Sequence, residues 1–311
     1  MVNDIYNLLI KYLYGDNIDN LKDETIEKIL YFIHHNKSIE FVMPSFPGKS
    51  PNINSSFNGK FGYEEQYSIN NINKLLQGIQ RLYPNGAKLY IIHDGHIFSD
   101  LNITRTDSEL DEYINEFRKR IDDDIISISL KDLIEEKTYE DARDKFINLY
   151  VRQLDEKLLS GELIKKEILF TKIEFENKIK NDTIISNNRL QMIAKKIAKQ
   201  SLLRKQGLSN CIAEKFPNAI RLSIHYQDSN SKKLGFKLID KAINFGSPWF
   251  NIIYMCSNGD IILGKKNWFI ENRKLIVSDE GCYYIIDNKT EEDFKNNNVN
   301  KIIKKEMKIG R

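Results

Sequence analysis

Three polar segments carry side chains able to bind an anion or to move protons. The first, residues 44–52, reads PSFPGKSPN. Prolines at 47 and 51 hold an extended loop, Gly48 lets the backbone approach a ligand, and Lys49 and Ser50 supply a cation and a hydroxyl. That set suits a phosphate. It also suits a rigid turn with an exposed lysine, and both readings stay open; the GxxxxGK(S/T) spacing of a Walker loop is absent. The second segment, 93–100, reads HDGHIFSD. Asp94 followed by Gly95 sets a carboxylate beside a sharp turn, where it serves as a general acid or base or simply caps the turn. His93, His96, Asp94 and Asp100 could also hold a metal, a weaker reading because catalytic metal sites draw on spaced ligands; no metal is expected. The third, 221–227, reads RLSIHYQ. Strand alternation puts Arg221, Ser223 and His225 on one face, where they would meet an anion or, on an edge strand, solvent. A Ser–His nucleophile has no GxSxG elbow to support it.

These segments gain interest from the elements that must position them. Runs at 38–43, 88–92 and 124–129 read as strands, with helices expected at 64–82 and 108–120 between them. Strand and helix in alternation predict a parallel α/β sheet, and such sheets bind ligands outside the carboxyl ends of their strands. Two amphipathic helices around a turn at 15–20 form an N-terminal cap over about 1–36. Residues 139–215 read as a nearly continuous helical layer. Strand character returns at 219–225, 251–256, 261–263, 274–277 and 283–286, with Asn258 and Gly259 marking a hairpin in an antiparallel C-terminal region. A basic amphipathic helix is expected at 290–311. The core is placed at about 37–135 and 216–290, and the whole chain, 1–311, is taken as one unit.

Composition bounds the partners. The 311 residues carry 47 basic and 44 acidic side chains, a net charge of +3, which argues against a polyanion-binding surface. At 41% hydrophobic residues the chain can bury a substantial core. Cys211, Cys256 and Cys282 are odd in number and lack a CxxC pair, so buried thiols in a reducing compartment are expected. Residues 1–16 have no basic n-region and no run of eighteen apolar residues occurs, so the expected location is the cytoplasm, with no membrane or nucleic-acid partner.

Four blocks together carry a resemblance: FPGKSPN at 46–52, YPNGAKLYIIHDGHIFSD at 83–100, FPNAIRLSIHYQ at 216–227 and GSPWFNI at 246–252. In this order they resemble the signature blocks of the isocyanide (isonitrile) synthases, also called pyoverdine/dityrosine biosynthesis proteins. The resemblance implies a Rossmann-like, mostly parallel sheet flanked by helices, and a cofactor-independent enzyme. Such an enzyme joins the α-amine of an amino acid, L-tyrosine first and L-tryptophan second, to the C2 ketone of ribulose 5-phosphate. C2 ends as the isonitrile carbon, and the other sugar carbons and the phosphate are eliminated. An oxygenase acting on the isonitrile is the implied pathway partner.

Carried over by motif, Lys49 and Arg221 would bind phosphate or polarise the ketose oxygens, with Lys233 a second phosphate ligand, while Asp94 and His225 shuttle protons. Ser50, Asn52 and Asp100 would orient sugar hydroxyls, with Gly95 and Ser223 beside them, and Phe98 and Trp249 would pack on the aromatic ring. Lys49, Arg221 and Lys233 are thus expected to converge on one cationic pocket. The chain departs from the family pattern at His93, where serine is common, and at Phe250, where histidine is. The glutamate that opens the following helix has its best counterpart in Glu65. An N-formyl product and a sugar-phosphate transferase are the alternative activities.

Overall fold

The computed structural model describes residues 1–50, 60–101, 105–154, 186–255 and 260–264 in full, and the backbone of 273–278 and 281–286. Among the described residues, six strands form the main sheet: β1 (Leu13–Tyr14), β2 (Ile39–Pro44), β3 (Ala87–Ile92), β4 (Ile125–Ile128), β5 (Ile220–Ser223) and β6 (Leu234–Phe236). Their order is β1-β6-β5-β2-β3-β4, parallel except for β1. The chain lays down β2, β3 and β4 outward on one side, then returns to build β5 and β6 on the other. The strand order therefore reverses between β2 and β5, which makes their carboxyl ends the natural crevice of the sheet.

Strand alternation divides the core. Phe41, Met43, Leu89, Ile91, Leu222 and Leu234 face one layer, and Val42 and Ile92 face the other. The first layer is built by α1 (Val2–Leu9), α2 (Lys22–His34), α3 (Tyr63–Leu82) and α5 (Asp107–Arg118). Thr106 caps α5 by accepting from the Glu109 N–H, while the Glu109 carboxylate accepts from the Thr106 N–H at 2.7 Å. The α3 start lacks a capping hydroxyl, and Glu65 reaches back to accept from the Gly62 N–H at 3.0 Å. Pro84 follows its end. The second layer holds α6 (Leu130–Ile134), α7 (Tyr139–Tyr150) and the long α8 (Asn187–Lys215), around buried Phe146, Leu203 and Cys211. Between β3 and α5 lies the single turn α4 (Gly95–Phe98).

A second sheet has the order β8-β7-β10-β9, from β7 (Ile252–Met255), β8 (Ile261–Gly264), β9 (Arg273–Ser278) and β10 (Gly281–Ile286). β7 pairs antiparallel with β8 and β9 with β10, while β7 and β10 run parallel. Ile253, Ile261 and Leu263 join the first core layer. The α/β class, the parallel sheet, the helical layer and the antiparallel strand region are as the sequence implies. Among the described residues no helix is long and apolar enough to cross a membrane.

Two expectations are corrected. The first expected helix does not run to the turn at 15–20: α1 ends at Leu9, a 3-10 turn follows at Ile10–Tyr12, and Leu13 and Tyr14 pair with Phe236 and Gly235 as an edge strand. The N-terminal cap is thus woven into the sheet. The strand expected at 219–225 stops at Ser223, so His225 lies beyond it and is exposed. Of the helical layer expected over 139–215, Tyr139–Tyr150 and Asn187–Lys215 are helices, and residues 155–185 lie outside the described residues. The hairpin turn at 258–259, Asn52, and the helix expected at 290–311 lie outside the described residues.

Candidate functional site

The loop leaving β2 is shaped by one strained residue. Phe46 adopts φ 51° with a fully buried ring, packed on Phe117 at 4.7 Å and Trp249 at 5.3 Å. A left-handed non-glycine residue needs outside support, and His93 supplies it. Its Nδ1–H donates to the Phe46 carbonyl at 2.9 Å, and its Nε2 accepts from Ser127 Oγ at 2.8 Å. Ser127 Oγ in turn accepts from Arg118 Nε at 3.0 Å, so its own proton is directed at His93 and the tautomer is set. Burial lowers the His93 pKa to about 4, which keeps the ring neutral. His93 is a strut.

Lys49 follows in the same loop with its side chain 1% exposed. Its ammonium donates to Glu64 Oε2 at 3.0 Å, Glu65 Oε2 at 2.9 Å and the Pro248 carbonyl at 3.1 Å. Desolvation works against that charge, but Glu65 and Glu64 outweigh it and hold the Lys49 pKa above its ordinary value. Glu65 is pushed up to about 7, by desolvation first and by Glu64, against the pull of Lys49. Its Oε1 accepts from Tyr113 at 3.4 Å. The Arg105 guanidinium donates to the Lys49 carbonyl at 2.8 and 3.0 Å, and the Ser50 N–H donates to the Trp249 carbonyl at 2.9 Å. The expectation of Lys49 as a free cation for phosphate is corrected: its three N–H bonds are spent on protein acceptors. Trp249 is corrected too, being 2% exposed and packed in the core.

At the end of β3, Asp94 precedes α4. Its Oδ1 is buried and has no hydrogen-bond partner among the described residues, and desolvation raises its pKa to about 6. A carboxyl poised there can give or take a proton at neutral pH. Gly95 is required by close approach, since a Cβ would stand 1.9 Å from the Pro47 carbonyl. The two loops are thereby pressed together. Gly95→Ala is expected to push them apart, costing about 1–3 kcal/mol of stability and most of the turnover; urea unfolding and an activity assay check both.

The helical layer clamps the same turn. Arg204 of α8 donates to the Ile97 carbonyl at 2.7 Å and holds both oxygens of Asp100, and Arg143 of α7 donates to the His96 carbonyl at 2.7 Å and to Asp107. Asp100 is therefore engaged in an ion pair rather than held open for sugar hydroxyls, and Phe98 is half-buried against the second core layer.

On β5, Arg221 points away from the Lys49 side, toward α8, where it donates to the Ser209 carbonyl at 3.0 Å and to Ser209 Oγ at 2.7 Å. Lys233 stands beside it, one residue before β6, with its pKa lowered to about 8 by desolvation, then by Arg221 and Lys205. Ser223 Oγ accepts from the His225 N–H at 3.2 Å and from Gln227 at 3.1 Å. The expected cationic convergence thus splits in two. Arg221 and Lys233 are neighbours, while Lys49 is neutralised on the opposite face. Sequence reasoning passed over Glu64, Tyr113, Arg105, Arg143 and Arg204; only Glu65 had a signal, as the glutamate opening α3.

The model of the pyoverdine/dityrosine biosynthesis proteins matches residues 29–277. An L-tryptophan isonitrile synthase, AmbI2, of Fischerella ambigua is 31% identical over 73% of this chain and 71% of its own. An L-tyrosine isonitrile synthase of Pseudomonas aeruginosa is 30% identical over 76% of each. The crystal structure of PvcA from Pseudomonas aeruginosa superposes with a TM-score of 0.78 at 25% identity, covering 92% of this chain and 99% of that one.

Proposed function

The chain belongs to the pyoverdine/dityrosine biosynthesis protein family, and on that premise we propose that it is an isonitrile synthase. It converts the α-amino group of an aromatic amino acid, L-tyrosine first, to an isonitrile, with C2 of ribulose 5-phosphate as the carbon donated. The observation that carries this reading is Asp94. It combines an unpartnered buried carboxyl oxygen with a pKa near 6, at the carboxyl edge of the parallel sheet. Joining an amine to a ketone and eliminating the rest of the sugar are successive proton transfers, which need a group able to both give and take.

Arg221 and Lys233 hold the phosphate. Two like charges brought together under desolvation are costly alone, and a phosphate offsets both. His225, exposed just beyond β5, is the second proton carrier, and Ser50 and Ser223 serve the sugar. Lys49 serves indirectly by holding Glu64 and Glu65. The enzyme acts in the cytoplasm without a cofactor, and its reactive product passes to an oxygenase. Incubation of the pure protein with ribulose 5-phosphate and either L-tyrosine or L-tryptophan, followed by mass spectrometry, tests the reading. Amino-acid consumption, phosphate release and an isonitrile acid are expected. An N-formyl product, heavier by one water, would reassign the last step, and no consumption of either amino acid with no phosphate release would overturn the proposal.

A further inference from the structure

The cluster of Lys49, Glu64 and Glu65 is incomplete in both hydrogen bonds and charge. All three N–H bonds of the Lys49 ammonium are used, by Glu64 Oε2, Glu65 Oε2 and the Pro248 carbonyl. Glu65 is also satisfied, Oε2 taking the Gly62 N–H as well and Oε1 taking the Tyr113 hydroxyl. Glu64 Oε1 is not: it is buried, in a residue 2% exposed, and among the described residues it has no partner. Two carboxylates against one ammonium leave one negative charge in excess wherever both are ionised. A buried anionic oxygen without a donor is expensive, and the cluster holds no further N–H to give it.

We propose that this cluster is the receptor for the α-ammonium group of the amino-acid substrate, with Glu64 Oε1 as its acceptor. The inference rests on the reading of the chain as an isonitrile synthase. Its logic is complementarity. A carboxylate or a phosphate is repelled by the excess negative charge, a neutral hydroxyl supplies a donor but no charge, and an ammonium supplies both. Among the charged groups of an aromatic amino acid and a pentulose phosphate, the α-ammonium is the one cation. The turn at Pro248–Phe250 lies against the cluster through the Pro248 carbonyl, and the Trp249 carbonyl takes the N–H of the neighbouring Ser50. Among the described residues, Tyr113 and Arg105 are the other ionisable groups near the cluster, from α5 and the segment before it. Docking a cation favours the ionised form of Glu65, whose pKa stands at about 7, so proton release accompanies binding near neutral pH.

Calorimetric titration of L-tyrosine and of its amine-free analogue, 3-(4-hydroxyphenyl)propionate, tests this. The wild-type protein is expected to bind tyrosine at least about tenfold more tightly than the analogue, the worth of one charge-assisted hydrogen bond. At neutral pH it should also release protons, read from the dependence of the heat on the buffer. Glu64→Gln is expected to lose about tenfold or more for tyrosine and nothing for the analogue. Equal binding of tyrosine by Glu64→Gln and wild type, or equal binding of tyrosine and the analogue by wild type, overturns the inference; the second comparison decides alone if the variant does not fold. If wild type makes an isonitrile while Glu64→Gln binds tyrosine normally, the inference falls and the activity stands. If tyrosine binding depends on Glu64 but no amino acid is converted, the activity falls and the inference stands.

Discussion

Replacing Asp94 by asparagine is expected to make the protein more stable and nearly inactive. Asparagine keeps the shape of the side chain and removes a charge whose desolvation a backbone hydrogen bond only partly offsets. With the folded pKa raised to about 6, the folded state takes up a proton before the unfolded one does. The ionised form therefore costs stability above pH 6, and the cost fades as the pH falls toward the ordinary carboxylate range. The sign follows: Asp94→Asn should gain about 2–3 kcal/mol over wild type at pH 7.5, shrinking to nothing near pH 4. Over the same substitution kcat/KM should fall about 10²- to 10⁴-fold, the usual worth of a positioned acid or base. Urea unfolding at the two pH values and steady-state kinetics check the pair of effects. A turn-capping aspartate would show the reverse, lost stability with activity kept.

The second large effect concerns Lys49. Lys49→Met preserves length and apolar volume but leaves Glu64 and Glu65 facing each other without a cation, inside a cluster whose side chains are at most 2% exposed. Removing one partner of a buried ion pair costs about 3–5 kcal/mol. Glu65 can escape part of that cost by holding its proton, and without Lys49 its pKa rises further above its present value near 7. A carboxyl pKa raised on folding makes stability fall as pH rises, so the loss should be largest at pH 8 and smaller at pH 5.5, as measured by urea unfolding. A lysine that served phosphate alone would be removed with little change in stability and no such pH dependence.

The sheet was legible because strand runs alternated with helical periodicity and ended in Pro, Gly and Asn. The site was legible in its types: Asp94 and Gly95 do close β3, and Arg221 and Lys233 do stand side by side. What could not be read was pairing. Lys49 looks like a free cation in FPGKSPN because its carboxylates lie 15 and 16 residues away, at the start of a helix whose angle to the loop no periodicity reveals. His93 looks like chemistry beside Asp94, yet it supports the left-handed Phe46, a conformation that leaves no mark in residue type. Asp100 looks open until Arg204, 104 residues later, reaches it from the helical layer. That layer, expected only as a run of helices, holds the turn that positions Asp94.

The activity itself is tested most directly by carbon tracing. The protein is incubated with L-tyrosine and ribulose 5-phosphate labelled with carbon-13 at C2, and the product is examined by mass spectrometry and carbon NMR. The expected result is an isonitrile acid whose isonitrile carbon alone is labelled, with phosphate released in equal amount. An unlabelled product, label at any other carbon, or a labelled sugar recovered intact with tyrosine unconsumed would contradict it.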